Sequence, residues 1–190
     1  MITFLLYILV WILIIIFLVS LILFIIMMIS GYRAKVPFVP VPNSILKDIF
    51  KALNIKDDSI LYDLGCGEGR VLFYISRLVP KAKYIGIENS TFPLILARVR
   101  AWWHRKVTGK KINIINSDFF NHDLSDATHI FTYLYPNVMD DLLPKLDKEL
   151  KKGTRLVSVT FKFTAKQPSS EIDLKRGKYQ LAQKMYVYEF

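Results

Sequence analysis

The chain has 190 residues, enough for one folded domain and a short additional segment. Its 26 lysines and arginines exceed its 16 aspartates and glutamates and give a net charge of +10, so acidic surfaces are its expected partners. The single cysteine, Cys66, excludes a disulfide within the chain and agrees with a reducing compartment.

The N-terminal segment is the most apolar part of the chain. No charged side chain occurs from Ile2 to Ile29, and about 20 apolar residues are enough for a helix to cross a bilayer. A cleaved signal peptide would have a basic start, a shorter apolar core and a small-residue cleavage site, none of which this segment shows. Residues 1–30 are therefore predicted to form a single transmembrane anchor.

The distribution of charge predicts how the chain is oriented. All 26 lysines and arginines follow the apolar segment, beginning with Arg33 and Lys35. Because basic residues are enriched on the cytoplasmic side of membrane spans, the rest of the chain is predicted to face the cytoplasm. Nucleic acid would attract the same charge, but the anchor already holds the domain beside lipid, so the lipid bilayer is the preferred partner.

A proline-rich linker, residues 31–43, precedes the predicted domain at residues 44–190. Its prolines alternate with apolar residues, so it is expected to be stiff, extended and packed against the domain. Asn43 or Ser44 is predicted to cap a helix from Ile45 to about Leu53.

Residues 60–70, Ile-Leu-Tyr-Asp-Leu-Gly-Cys-Gly-Glu-Gly-Arg, combine a short apolar run with three closely spaced glycines. Helical spacing follows from Val71 to Val79, so the unit is predicted to be a strand, a glycine turn and a helix that present a nucleotide-like ligand. A dinucleotide fingerprint would require glycine at Arg70, and a P-loop would require Gly-Lys-Ser/Thr. The Asp-x-Gly-x-Gly-x-Gly pattern resembles the first motif of class I S-adenosylmethionine-dependent methyltransferases.

Strand and helix patterns alternate after the glycine turn, which predicts a Rossmann-like, doubly wound α/β fold with a parallel sheet and helices on both faces. The predicted elements are strand Lys83–Glu88, helix Ser90–Arg105, strand Lys111–Ile115, strand Thr128–Tyr133, helix Val138–Leu150, strand Arg155–Phe161 and a final edge strand Lys184–Phe190. The crossover at 116–128 is short and polar, with room for one helical turn. Residues 161–184 show no amphipathic helix, so the C-terminal end of the sheet is expected to be abbreviated.

Three acidic or aromatic residues follow predicted strands where a nucleoside would lie. Glu88 ends the second strand, where its carboxylate can accept both hydroxyls of a ribose. Asp118 and Phe119 follow the third strand and provide an acceptor for an adenine amino group and an aromatic face beside its ring. Taken singly, Glu88 and Asp118 also suit helix caps and Phe119 suits the core; their order and spacing favour a cofactor site.

The segment Tyr133-Leu134-Tyr135-Pro136-Asn137 leaves the fourth strand where a methyl acceptor would lie. Enzymes that methylate base amines usually carry Asn/Asp-Pro-Pro-aromatic here, whereas this chain has tyrosine. Phenolic oxygens could orient an aliphatic amine, which must lose a proton from a pKa near 10.4 before it attacks. The alternative is that both tyrosines only pack at the end of the strand.

The remaining polar residues give weaker indications. His104, His122 and His129 show no metal-ligand spacing, so no metal site is predicted. A basic run accompanies Trp102 and Trp103 and is either a solvated helix end or a patch that lies at lipid headgroups. Its members are Arg98, Arg100, His104, Arg105, Lys106, Lys110 and Lys111.

The ordered segments resemble a family of membrane-anchored class I protein-lysine methyltransferases related to the ATP synthase c-subunit lysine methyltransferase. The resemblance covers nearly the whole chain. The matching segments are the N-terminal span, Pro37-Phe38-Val39-Pro40, Asp63 to Arg70, Gly86-Ile87-Glu88-Asn89, Asp118-Phe119, Tyr133-Leu134-Tyr135-Pro136 and a tyrosine-rich last strand. Asn89-Ser90-Thr91, where an Asn-Pro pair is more typical, and the lean C-terminal region depart from it.

This resemblance implies transfer of a methyl group from S-adenosylmethionine to an amine, expected to be a lysine of a membrane or membrane-adjacent protein. It assigns the cofactor to Asp63, Gly65, Cys66, Gly67, Gly69, Glu88, Asn89, Asp118 and Phe119. Tyr133 and Tyr135 are the expected catalytic residues, and Pro37, Phe38, Pro40 and Pro136 the expected substrate contacts. The alternatives are a lipid or quinone methyltransferase, an RNA methyltransferase and a membrane-tethered module that binds the cofactor without catalysis.

Overall fold

The computed structural model describes residues 2–33, 39–174 and 182–190. Its helices are α1 Ile2–Arg33, α2 Leu46–Leu53, α3 Arg70–Leu78, α4 Thr91–Thr108 and α5 Pro136–Glu149. Its strands are β1 Ile60–Leu64, β2 Lys83–Glu88, β3 Asn113–Asn116, β4 His129–Thr132, β5 Arg155–Val159, β6 Ser170–Asp173 and β7 Lys184–Glu189. Each predicted helix and strand is present in the described residues, with bounds shifted by a few residues.

Helix α1 contains one stretch, Thr3–Ile25, that is long and apolar enough to cross a membrane, and none of it is buried against the protein. Length and hydropathy alone do not distinguish a membrane span from a signal sequence near the N-terminus. The helix continues to Arg33, whereas the sequence places the start of the linker at Gly31. The linker residues 34–38 lie outside the described residues.

The sheet has seven strands in the order β3-β2-β1-β4-β5-β7-β6. Strands β1 to β5 are parallel, and the chain reverses its direction of travel across the sheet between β1 and β4. In open α/β sheets a crevice forms at such a switch point, outside the carboxyl ends of the strands. The topology therefore places the ends of β1, β2 and β4 around a common cleft.

The C-terminal part of the sheet differs from the prediction of a parallel sheet with an edge strand at Lys184–Phe190. Strand β7 lies between β5 and β6 and is antiparallel to both, so β6 forms the edge. No helix precedes β6 in the described residues 160–169. The sequence pattern misses β6 because only Ile172 of Ser170–Asp173 is partly buried and the other residues are exposed, which leaves no apolar alternation to detect.

The apolar core is divided between the two faces of the sheet. Alternate strand residues point to opposite faces, so Leu61 joins the cluster formed with α2 and α3 and Tyr62 joins the cluster formed with α5.

Neither Asn43 nor Ser44 caps α2 through its side chain; both lie in a 3-10 turn, Asn43–Ile45, that leads into the helix. The crossover at residues 117–128 is turns and bends without a helix.

Gly86 in β2 allows the glycine turn after β1 to lie close to the sheet. A Cβ atom on Gly86 would lie 2.7 Å from Cys66 Sγ and 2.9 Å from Leu72 Cδ1. Such separations are shorter than van der Waals contact, so a larger residue would displace the turn or the first turn of α3.

We expect Gly86→Ala to lower the free energy of unfolding by about 1–3 kcal/mol, the usual effect of adding a methyl group to a packed site. Urea unfolding of the full chain in detergent measures this loss. Cys66→Ala in the same chain removes the nearest sulfur and should restore part of the stability. Equal stability of Gly86→Ala and the parent chain would contradict the close packing.

Candidate active site

A cavity of ≈ 290 Å³ opens at the carboxyl ends of β1, β2 and β4. Its volume is near the lower end of the range for small-molecule sites, roughly 300–1,000 Å³. It brings together most of the site residues predicted from the sequence. Those that line it are Pro40, Asp63, Gly65, Cys66, Gly67, Glu88, Asn89, Asp118, Phe119 and Tyr133.

The glycine turn is tied to the end of the neighbouring strand. The backbone N–H groups of Gly65 and Cys66 both donate to the Ile87 carbonyl, at 2.9 and 3.0 Å. Gly65 has a φ of +71°, and a Cβ there would lie 3.0 Å from Leu134 Cδ2. Glycine is therefore required both by the backbone conformation and by the narrow space beside Leu134.

Glu88 links the glycine turn to the start of α4. Its Oε2 accepts a hydrogen bond of 2.9 Å from the Gly67 N–H, and its Oε1 accepts one of 2.7 Å from the Ser90 N–H. The residue is only 7% exposed. An ionised carboxylate has about four acceptor positions, so two remain in addition to these backbone bonds.

Asp63 is a second buried acid at the same cavity. Burial, followed by the charge of Glu88, raises its pKa from 3.8 to about 8. Burial also raises the pKa of the nearby Cys66 thiol, and the charge of Asp63 adds to this effect. Two acids in a poorly solvated cleft favour a bound cation, because a positive charge offsets the burial of their negative charges.

The segment after β3 also lines the cavity. Asp118 is exposed, and its Oδ1 accepts a hydrogen bond of 2.9 Å from the Phe120 N–H. The rings of Phe119 and Phe120 lie 4.9 Å apart and are both partly buried. This segment therefore offers a carboxylate and two aromatic faces. The sequence pattern predicted Asp118 and Phe119 here but not Phe120.

A network of two arginines and one glutamate supports the glycine turn, and sequence reasoning did not predict it. Arg70 donates from Nε to Glu68 Oε1 at 2.7 Å and from Nη1 to the Val41 carbonyl at 2.8 Å. Arg100 of α4 contacts the same glutamate, with 3.0 Å between Nη1 and Oε2. Arg100 thus pairs with a residue that lines the cavity, whereas the sequence groups it with an exposed basic run. The charged residues Glu68 and Arg70 within the glycine motif are the sequence feature from which this network could have been predicted.

The predicted acceptor residues separate into two groups. Tyr133 lines the cavity, but the ring of Tyr135 stacks on Phe161 at 5.9 Å with an angle of 21° between the planes. Pro136 is exposed as the first residue of α5 and does not line the cavity.

The other predicted site residues lie outside the cavity or outside the described residues. Gly69 precedes α3 and has a φ of +77°, and it does not line the cavity. Pro37 and Phe38 fall outside the described residues. Within the described part of the chain, no group of three or more His, Cys, Asp or Glu residues is arranged to hold a metal ion.

Comparison with protein families gives a match to the ANTKMT methyltransferase domain over residues 63–170. This range contains the glycine turn, Glu88, Asp118 and Tyr133. The matched range therefore includes every polar or charged side chain that lines the cavity in the described residues.

Two relatives differ in how much of their length is matched. A protein-lysine N-methyltransferase from Saccharolobus islandicus (strain REY15A) is 34% identical over 159 residues, which are 83% of this chain and 96% of that protein. The human lysine N-methyltransferase of the ATP synthase c-subunit is 27% identical over 128 residues, 67% of this chain and 53% of that protein. The chain thus matches about half the length of the human relative.

A solved structure of similar fold is that of an RNA methyltransferase from Salinibacter ruber in complex with S-adenosyl-L-homocysteine. It is 28% identical, with a TM-score of 0.71, and the match covers 80% of this chain and 93% of that chain.

We expect Asp63→Asn to change how stability depends on pH. The folded chain keeps the Asp63 proton up to about pH 8, whereas the ordinary pKa is 3.8, so the folded state binds more protons between these values. Its stability therefore falls as the pH rises through this window, and the amide removes that decline. Thermal unfolding from pH 4 to pH 8 measures the difference. Asp58→Asn, at an exposed carboxylate, is the control, and parallel curves for all three chains would contradict the assignment.

Proposed function

Because this chain belongs to the family of the ANTKMT methyltransferase domain and is an S-adenosylmethionine-dependent methyltransferase, we propose that its methyl acceptor is the side-chain amine of a protein lysine. The similarity to the Saccharolobus lysine methyltransferase, over most of both chains, is the observation that carries this proposal.

The residues at the cavity fit the chemistry of this cofactor. When bound, S-adenosylmethionine supplies an electrophilic methyl group on a cationic sulfur, which leaves as a neutral thioether when an unprotonated amine takes the methyl group. The acceptor positions left on Glu88 suit ribose hydroxyls, and a cationic cofactor would favour the ionised form of the buried Asp63 beside it. Asp118 and Phe119, which line the cavity after β3, would hold the adenine.

The acceptor side of the cavity favours an uncharged amine. Leu134, Val138 and Phe131 line it with apolar groups. Burial beside such groups lowers the pKa of a lysine from its ordinary value near 10.4, which increases the fraction able to attack. Tyr133 also lines the cavity, next to Leu134 in the chain, and we assign it the role of orienting the amine.

The location of the substrate follows from α1. We place Thr3–Ile25 across a membrane as a single span and the remaining residues on the cytoplasmic side, because the basic residues follow the span. A tethered catalytic domain meets membrane proteins at a high effective concentration. The preferred substrate is accordingly a lysine of a membrane or membrane-adjacent protein.

Transfer of labelled methyl groups to native membranes tests the proposed acceptor. The full chain in lipid vesicles is incubated with methyl-labelled cofactor and host membranes, and the Glu88→Ala chain provides the blank. We expect label that survives solvent extraction and ribonuclease and is recovered as methyl-lysine after hydrolysis.

Other outcomes would overturn the lysine proposal in distinguishable ways. Label removed by ribonuclease would identify RNA as the acceptor, in line with the Salinibacter structure. Label extracted by solvent would identify a lipid or quinone. Cofactor binding without transfer to any fraction would indicate a non-catalytic binding module.

Two neighbouring tyrosines provide a matched test of the acceptor side. Tyr133→Phe should lower kcat by about 3- to 10-fold, since one hydrogen bond is worth roughly 0.5–1.5 kcal/mol, and should leave cofactor affinity unchanged. Tyr135→Phe should leave both quantities unchanged, because Tyr135 stacks on Phe161 away from the cavity. Steady-state kinetics with a lysine peptide and calorimetric cofactor titration measure these effects. Equal losses from both substitutions would exclude Tyr133 from a specific role.

A further inference from the structure

Helix α4 presents an apolar stripe to solvent. At 100° per residue, its large apolar side chains at positions 92, 95, 99, 102 and 103 fall on one face, and Val107 lies at the margin of that face. All are exposed, from 37% for Phe92 to 63% for Trp103 and 68% for Val107. Contiguous exposed apolar surface of this kind usually marks a site of interaction.

This stripe is not the face that packs on the domain. The buried residues of α4 lie on the opposite side: Pro93 and, with exposures of 6%, 0% and 6%, Leu94, Ala97 and His104. His104 packs its ring against Phe73 at 5.6 Å. The helix is therefore apolar on two opposite faces, and only one of them is covered by the sheet and its neighbouring helices.

The charged side chains of α4 itself are all positive. Helix α4 contains no aspartate or glutamate. Arg98 and Arg105 lie along one margin of the stripe, and Lys106 lies within it, with its Nζ 5.8 Å from the centre of the Trp102 ring. Paired indoles bordered by cations are typical of helices that lie at the headgroup level of anionic membranes.

The position of α4 also points to lipid. Helix α1, which carries the candidate membrane span, contacts α4. A face next to a membrane span lies within reach of the bilayer surface. We propose that this stripe of α4 is a membrane-docking surface that lies in the headgroup region of an anionic bilayer.

Docking through α4 would also position the cofactor cavity. On the margin opposite Arg98, Arg100 pairs with Glu68 of the glycine turn at 3.0 Å. The same helix thus contacts lipid on its outer face and the wall of the cavity on its flank. The inference rests on the proposed membrane span and is independent of the proposed lysine acceptor.

Tryptophan fluorescence tests the docking surface separately from the span. The chain has three tryptophans, Trp11 in the span and Trp102 and Trp103 in α4. Trp11→Phe leaves only the α4 pair as reporter, and Trp102→Phe/Trp103→Phe leaves only the span. Each full-length chain is reconstituted into phosphatidylcholine–phosphatidylglycerol vesicles without bromine, with bromine near the headgroups to reach the α4 pair, or with bromine near the ends of the acyl chains to reach Trp11; acrylamide serves as the aqueous quencher.

We expect brominated lipid to quench both reporters and the α4 pair to be protected from acrylamide. A second outcome is that lipid quenches Trp11, while the α4 pair is quenched by acrylamide and not by lipid. This result would overturn the docking surface and leave the span intact. Absence of lipid quenching at Trp11 would overturn the span and the docking surface together. An α4 pair shielded from both quenchers would show that protein covers the stripe, which also overturns the proposal.

Charge substitutions test the electrostatic part of the same contact. In the Trp11→Phe chain, Arg98→Gln, Arg105→Gln and Lys106→Gln together should reduce lipid quenching in anionic vesicles, and high salt should do the same. Arg100 is left unchanged because it pairs with Glu68. Lys148→Gln, Lys151→Gln and Lys152→Gln remove three exposed charges away from α4 and should have little effect. Equal reductions from both sets would overturn a specific role for α4.

Discussion

The paired hydrogen bonds to Glu88 hold the site together. One carboxylate accepts backbone N–H groups from Gly67 in the glycine turn and from Ser90 before α4. These groups belong to separate crossovers of the sheet, which meet only because β1 and β2 are parallel neighbours with their carboxyl ends in register. A residue without an acceptor at position 88 would leave two backbone donors near the cavity without this partner, and such groups are costly when buried.

Burial and the same carboxylate together set the electrostatic character of the cavity. Burial, followed by the charge of Glu88, raises the pKa of Asp63 to about 8, so a negative charge on Asp63 is costly while the cleft holds no cation. A cationic ligand relieves both the burial of these groups and their mutual repulsion. The family's cofactor carries positive charge, which gives a physical reason for placing two acids beside a glycine turn.

A second polar network connects the cavity with the rest of the chain. Arg70 joins the glycine turn to the Val41 carbonyl, and Arg100 joins it to α4 through Glu68. The segment that follows the N-terminal helix and the helix with the exposed apolar stripe therefore both contact the same turn. The glycine turn is thus held from two sides of the chain by charged hydrogen bonds.

The sequence by itself determined the α/β alternation and the cluster of residues at the switch point. Periodic burial gives most strands and helices a clear pattern, and the carboxyl ends of parallel strands necessarily meet at one edge of the sheet. This is why Asp63, Glu88 and Asp118 could be grouped from the order of the residues alone.

Only the tertiary structure decided which neighbours of these residues take part in the site. Tyr133 and Tyr135 have equivalent sequence signals, yet one lines the cavity and the other stacks on Phe161. From the sequence, Arg100 is interpreted only as a surface cation. The structure shows that it also pairs with Glu68, at 3.0 Å. The sequence did not predict strand β6 because an exposed edge strand buries little apolar surface. Its pairing with β7 depends on backbone hydrogen bonds, which do not require any particular pattern of side chains.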